Sequence, residues 1–312
     1  MDYLLLVVGL ALLLLAANYL VDSSVAIAQR AKISNFIIGL TIVGIGTSAP
    51  ELFVSVKSAL SNSGDIAMGN VIDSNISNIF LILGVTAIIC PFAIERLQRV
   101  RDIPFLIFMS LLVMAIANDA MVPGLDSSLN RLDCIVLLLV FIGYMGWVVI
   151  QKGKDPKKAL QDADEEASSS LTGKSPWLLW PIALASLALL IFGGNLFLDS
   201  AKRLAEAWGM SEAAIAITIV AVGTSLPELV TAIIAATKHN PQLALGNVIG
   251  SNLFNLMFIL GTASTVKPLY FQSINIIDYT VMIVAAFMLY MVIYTFKKNK
   301  FDRIEGIIFF VA

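Results

Sequence analysis

The chain has 312 residues, 58% of them hydrophobic and 13% charged, with a mean hydropathy of +0.88 and a net charge of −2. So few polar side chains cannot cover a globule in water, so the composition excludes a soluble domain and specifies a polytopic membrane protein. The charges are confined to short segments between apolar runs and point to no nucleic-acid partner.

At about 20 residues per span, apolar windows predict helices near 3–27, 36–61, 66–91, 103–118, 132–151, 177–201, 213–237, 242–265 and 275–296. The first begins at Tyr3 with no basic segment before it, which reads as a retained helix and not a cleaved signal. A tenth starts at Ile304 and stops after nine residues at Ala312, so a truncated last helix is expected. Cys90 and Cys134 lie in or beside apolar runs and read as small packing residues, with no disulfide framework and no metal-thiolate pattern. Residues 152–176 hold lysines, acids and the run Ser168-Ser169-Ser170, and read as a flexible linker between a first unit, 1–151, and a second, 177–312.

Threading those spans alternately across a bilayer places 15 Lys and Arg on one side and 5 on the other. The basic side is the cytoplasmic one, which puts the linker inside and the N-terminus outside an inner or plasma membrane. Trp147, Trp177, Trp180, Tyr290 and Tyr294 suit interfacial belts.

One hexapeptide stands out, Gly46-Thr47-Ser48-Ala49-Pro50-Glu51, because it returns as Gly223-Thr224-Ser225-Leu226-Pro227-Glu228. The offset of 177 holds without a gap from Thr41/Thr218 to Gly84/Gly261, with 21 of 44 positions identical, and Asn18, Asp22 and Ser23 fall on Asn195, Asp199 and Ser200. Five spans separate equivalent positions, and an odd number reverses direction, so the fold expected is all-α: ten transmembrane helices in two inverted five-helix repeats. Inverted repeats with broken helices at matching positions are how many secondary transporters build a midplane site.

A carboxylate at mid-bilayer costs roughly 2.5–3.5 kcal/mol, so two retained there imply a positively charged partner. Pro50 and Pro227 remove a helical N–H and open the turn before them, which should leave carbonyls from Gly44 to Thr47 and from Ala221 to Thr224 unpartnered. Thr47, Ser48 and Glu51 lie three and four apart, as do Thr224, Ser225 and Glu228, so their oxygens share a helix face. The following helices add Gly69-Asn70-Val71-Ile72-Asp73-Ser74-Asn75-Ile76-Ser77-Asn78 and Gly246-Asn247-Val248-Ile249-Gly250-Ser251-Asn252-Leu253-Phe254-Asn255. In these, Ser74/Asn78 and Ser251/Asn255 are again i and i+4, and the glycines allow close backbone approach. Every donor is an oxygen, which suits Ca²⁺ in a cage of about 6–8 ligands and disfavours softer metals. Na⁺, of nearly the same radius, can compete for the same cage.

Several polar residues admit plainer readings. Asp22 and Asp199 read as interfacial or capping groups, Asn70, Asn75, Asn247 and Asn252 as either ligands or helix–helix hydrogen bonds, and His239 as a solvated loop residue. A passive channel is the rival from another class and would conduct at rates insensitive to counter-ion, with unitary currents in a planar bilayer. Neither a nucleophile with its base nor a pair of catalytic aspartates is evident, so no enzymatic activity and no cofactor is expected.

At these residues the sequence resembles the cation/calcium exchanger superfamily, closest to its prokaryotic sodium/calcium exchangers, with stretches 39–84 and 216–261 similar to that family's paired alpha repeats. The resemblance implies a functionally monomeric antiporter in the lipid bilayer that exchanges Na⁺ for Ca²⁺ through an alternating site. It implies central carboxylates at Glu51 and Glu228, with Thr47, Ser48, Ser74, Asn78, Thr224, Ser225, Ser251 and Asn255 around them and backbone oxygens of Gly44 and Ala221. It also implies that the first and sixth helices slide as a pair. Two positions depart from the pattern: Asn255 where relatives can carry aspartate, and Asp73 where glycine is expected. Asp73 either adds an ion or proton ligand, which would suit a Ca²⁺/H⁺ or K⁺-dependent exchanger, or bonds a neighbouring helix.

Overall fold

The computed structural model describes residues 1–117, 127–151, 169–211, 221–295 and 298–312. The expected linker residues 152–168, and positions 118, 213–220 and 296 of the expected spans, lie outside them.

The described chain is almost wholly helical: α1 (Asp2–Ala31), α2 (Asn35–Thr47), α3 (Ala49–Leu60), α4 (Gly64–Ile89), α5 (Gln98–Ala117), α6 (Arg131–Gln151), α7 (Pro176–Ala207), α8 (Ala221–Thr224), α9 (Leu226–Thr237), α10 (Pro241–Val266), α11 (Ile276–Met291) and α12 (Arg303–Val311). Among the described residues six helices are long and apolar enough to cross a membrane, and α2 with α3 makes a seventh span bent by 44°. The ends are written locally. Lys32 closes α1 in the left-handed conformation, Asn240 caps α10 ahead of Pro241, and capping boxes at Asn275/Asp278 and Asp302/Glu305 start α11 and α12.

Most spans present a large apolar face outward, with 28–56% of their most apolar window buried, but in α10 that share is 94%. α10 is therefore the helix the others enclose. What admits it is glycine. A Cβ at Gly246 would stand 2.1 Å from the Phe36 carbonyl oxygen, and one at Gly250 2.2 Å from that of Leu40, so α2 and α10 cross backbone to backbone. α1 and α7 pack along their length through Gly9 and Gly193, and run antiparallel: Asp2 pairs with Arg203 at one end, and Arg30 donates to the Lys174 carbonyl at the other. We call these ends the N-terminal face and the linker face.

Two features escape periodicity. Two-residue strands pair antiparallel, β1 (Phe92–Ala93) with β4 (Lys300–Phe301) and β2 (Ser128–Leu129) with β3 (Leu269–Tyr270), tying loops together; β1 and β3 are again 177 positions apart. The last part of the expected flexible linker is docked against α1. Ser169 Oγ donates to the Asp22 carbonyl (2.8 Å), Ser170 Oγ to Asp22 Oδ2 (2.6 Å) and Thr172 Oγ1 to Gln29 Oε1 (3.1 Å), because α1 offers acceptors that serine and threonine hydroxyls satisfy.

Candidate cation site

α2 ends at Thr47 and α3 begins at Ala49 with Pro50 in its first turn, so the bend falls at Ser48. α8 and α9 repeat this arrangement around Ser225 with Pro227. Both glutamates and most of the motif hydroxyls are buried: Glu51 and Glu228 are each 1% exposed, Thr47 and Ser48 are fully buried, and Ser225 is 2% exposed.

The two breaks meet. Ser48 Oγ donates to Glu228 Oε1 (2.9 Å), which links the first motif to the carboxylate of the second, and that carboxylate also faces the hydroxyls of Thr47 and Ser251. Thr47 Oγ1 donates to Asn247 Oδ1 (3.1 Å), Ser251 Oγ to the Gly44 carbonyl (3.1 Å), and Asn78 Nδ2 to Asn252 Oδ1 (2.9 Å). The expectation of a free carbonyl at Gly44 therefore needs correction. The loosened turn still delivers Ser48 N at 3.3 Å, and the Ser251 hydroxyl of α10 supplies a second donor to the same oxygen.

What remains unbonded is more informative. Glu51 Oε2, Glu228 Oε2, Asn78 Oδ1, Ser225 Oγ and both amide atoms of Asn255 are buried without a hydrogen-bond partner. Buried polar atoms are almost always partnered, so unpartnered carboxylate, amide and hydroxyl oxygens on both motif copies and on the helices that follow them mark a candidate cation site. Ser74 is buried beside them on α4. Ala221 opens α8, which places its carbonyl one turn before Ser225. Thr224 is half-buried and faces a cavity instead of α10.

Asp73 is not brought to this shell. It is exposed on α4 and its charged neighbour is Asp278 of α11, while its repeat mate Gly250 is pressed against Leu40. The helix–helix reading holds for three of the remaining asparagines: Asn70 braces α3 by donating to the Glu51 carbonyl (3.2 Å) and Ser55 Oγ (3.0 Å), Asn247 accepts from Thr47 of α2, and Asn252 bridges to α4, whereas Asn75 donates to the Val71 carbonyl of its own helix (2.7 Å) and leaves Oδ1 buried without a partner. Thr231, one turn beyond Glu228, also has a buried hydroxyl without a partner. It escaped notice in the sequence because its repeat mate is Val54, so no doubling marks it. His239 is exposed in a turn with positive φ, as a solvated residue should be.

A cavity of about 720 Å³ opens on the N-terminal face. Its walls carry Lys57, Asn195, Asp199 and Lys202, and its floor is Ala49, Pro50, Gly223, Thr224 and Pro227, the residues flanking the two glutamates.

The model of the family described as sodium/calcium exchanger protein matches residues 1–150 and 178–312. The chain belongs to the sodium/calcium exchanger family. Among its relatives, the putative antiporter CaxA of Alkalimonas amylolytica is 35% identical over 98% of this chain and 94% of its own length. The sodium/calcium exchanger MaX1 of Methanosarcina acetivorans is 30% identical over 100% and 97%. A solved structure of the sodium-calcium exchanger NCX_Mj, soaked with Na⁺ and Ca²⁺, superposes with a TM-score of 0.82 at 29% identity, covering 99% of this chain and 95% of that one. Membership makes the protein an integral membrane cation/calcium antiporter, and the nearly all-helical fold is that of an exchanger of this family.

Proposed function

We propose that the protein exchanges Na⁺ for Ca²⁺ by alternating access at the cage built from the two broken helices. Glu51 and Glu228 supply the charge; Thr47, Ser48, Ser74, Asn78, Thr224, Ser225, Ser251 and Asn255, with the Ala221 carbonyl, supply neutral oxygens. The observation that carries this is the pair of buried, unpartnered carboxylate oxygens on two motif copies joined by the Ser48–Glu228 bond. Two carboxylates carry −2, which one Ca²⁺ neutralises. Na⁺ binds the same oxygens without matching that charge as a single ion, so occupancy by one species displaces the other.

The architecture proposed is ten membrane helices in two inverted repeats, with the N-terminus outside, the linker cytoplasmic and a monomer as the working unit. Antiparallel packing of α1 against α7, which the 177-residue offset relates, supports the inversion. The cavity on the N-terminal face supports an outward-facing state, with ions entering past Asp199 and Thr224.

Proteoliposomes loaded with Na⁺ and diluted into Na⁺-free medium should take up ⁴⁵Ca²⁺. Glu51→Gln and Glu228→Gln should each abolish that uptake in protein that still elutes as a folded species. Uptake retained by both variants would reject the proposal, and uptake driven by a proton gradient alone would replace Na⁺ with H⁺.

A further inference from the structure

The two faces of the α1/α7 pair are built differently at equivalent positions. On the linker face, Lys238 at the end of α9 reaches across to α1, where its ammonium donates to Asp22 Oδ1 (2.6 Å) and to the Asn18 carbonyl (3.3 Å). The Asp22 side chain is 8% exposed and that of Lys238 28%, so the pair is largely desolvated. Ser170 occupies the other carboxylate oxygen and Ser169 the Asp22 backbone carbonyl, and a pocket of about 340 Å³ lined by Val21, Val25 and Asn240 surrounds them. The repeat mates of Asn18 and Asp22 are Asn195 and Asp199, and both line the open cavity on the N-terminal face, as do Lys57 of α3 and Lys202 of α7. Among the described residues no ion pair joins Asp199 to Lys57.

We propose that Asp22–Lys238 is a latch that holds α1 against α9 and keeps the linker face shut, and that Asp199 and Lys57 form its counterpart when the N-terminal face closes. The inference rests on alternating access at the cage. Closing one face brings one pair to contact distance, and opening it pulls that pair apart, so only one pair is formed in either state. A partly buried pair is costly to break by removing one partner, because the other charge stays behind without compensation. The latch thus biases the resting protein toward the N-terminal-open state, and the docked Ser169-Ser170 segment gives the linker a hold on that bias. Asp22 and Lys238 are positioning residues: they touch no transported ion.

The test is accessibility, which does not depend on transport. In full-length protein in proteoliposomes, with Cys90 and Cys134 replaced by alanine, a Val54→Cys probe in the cavity should react with a membrane-impermeant maleimide applied at the N-terminal face. Asp22→Asn should lower that rate about tenfold, a shift within the usual range of a coupling free energy. The double exchange Asp22→Lys with Lys238→Asp should restore most of it. Unchanged labelling in Asp22→Asn, or a loss that the double exchange does not repair, would overturn the latch. Glu51→Gln in the same background should stop flux while leaving the probe reactive, so failure of the site and failure of the latch give different results. A cross-link between Lys57→Cys and Asp199→Cys should form only in the Asp22→Asn background; formation at equal rate in the parent would remove the counterpart.

Discussion

The same six-residue motif occurs twice in this protein and is held in two different ways. In the first copy Thr47 and Ser48 are fully buried and both donate across the repeat boundary, to Asn247 and to Glu228. In the second copy Thr224 lines the cavity and the Ser225 hydroxyl has no partner. Identical side chains on equivalent helices do not differ in preference. The difference therefore belongs to the conformation: the first copy is engaged with α10, and the second is released toward the open face. It teaches that a doubled site need not be symmetric at any one moment, and that asymmetry between equal sequences marks a state where asymmetry between unequal ones marks a fixed role.

The strongest way to break the comparison is to remove the charge from each copy. Glu51→Gln and Glu228→Gln should both reduce Na⁺-driven ⁴⁵Ca²⁺ uptake by at least about a hundredfold, because each loses an interaction with a divalent ion in a dry cage. A glutamine in one copy that left flux within tenfold would mean that only the other copy holds the ion.

Next in size is the glycine pair Gly246 and Gly69, equivalent in sequence and unequal in surroundings. A Cβ at Gly246 would sit 2.1 Å from a backbone oxygen, whereas at Gly69 the first atom met is Ile274 Cδ1 at 3.6 Å. Gly246→Ala should force α2 away from α10 and destabilise the protein by about 3 kcal/mol, at the upper end of overpacking costs. Gly69→Ala should be nearly neutral. Thermal unfolding followed by size-exclusion chromatography separates the two, and equal melting temperatures would contradict the close crossing.

A smaller effect is expected at Ser55, whose mate is Ala232. Ser55 accepts from Asn70, which also holds the Glu51 carbonyl, while Asn247 in the second copy leaves its amide N–H unpartnered. Ser55→Ala should cost about 1 kcal/mol, the net worth of a buried hydrogen bond, and raise the Ca²⁺ concentration for half-maximal uptake several-fold. Unchanged uptake would make Asn70 a packing group only.

Much of this was legible before any coordinates. The offset of 177 named both glutamates and their hydroxyls, and the prolines located the bend within two residues, since a missing N–H acts on its own helix. What escaped were relations between helices. The Ser251 hydroxyl satisfying Gly44, Lys238 reaching Asp22, and Ser169 and Ser170 docking on α1 all depend on which faces meet, and no periodicity encodes that. Thr231 was hidden for the opposite reason, because a search for doubled residues passes over one that occurs once.

Asp73 sharpens the comparison last. It stands where α10 has Gly250, and the difference is fixed by sequence, so it reports a permanent inequality between the repeats. Gly250 is forbidden a side chain by the Leu40 carbonyl at 2.2 Å, but the matching position on α4 is exposed and carries a carboxylate beside Asp278, away from the cage. A proton or ion ligand must reach the oxygens it helps, and Asp73 faces the wrong way along a helix whose inward side is Ser74 and Asn78. Asp73→Asn should therefore keep Na⁺-driven uptake within twofold of the parent and leave its pH profile unmoved. A shifted pH profile would assign Asp73 a part in coupling and revive exchange with protons, and the two halves would then differ in chemistry as well as in packing.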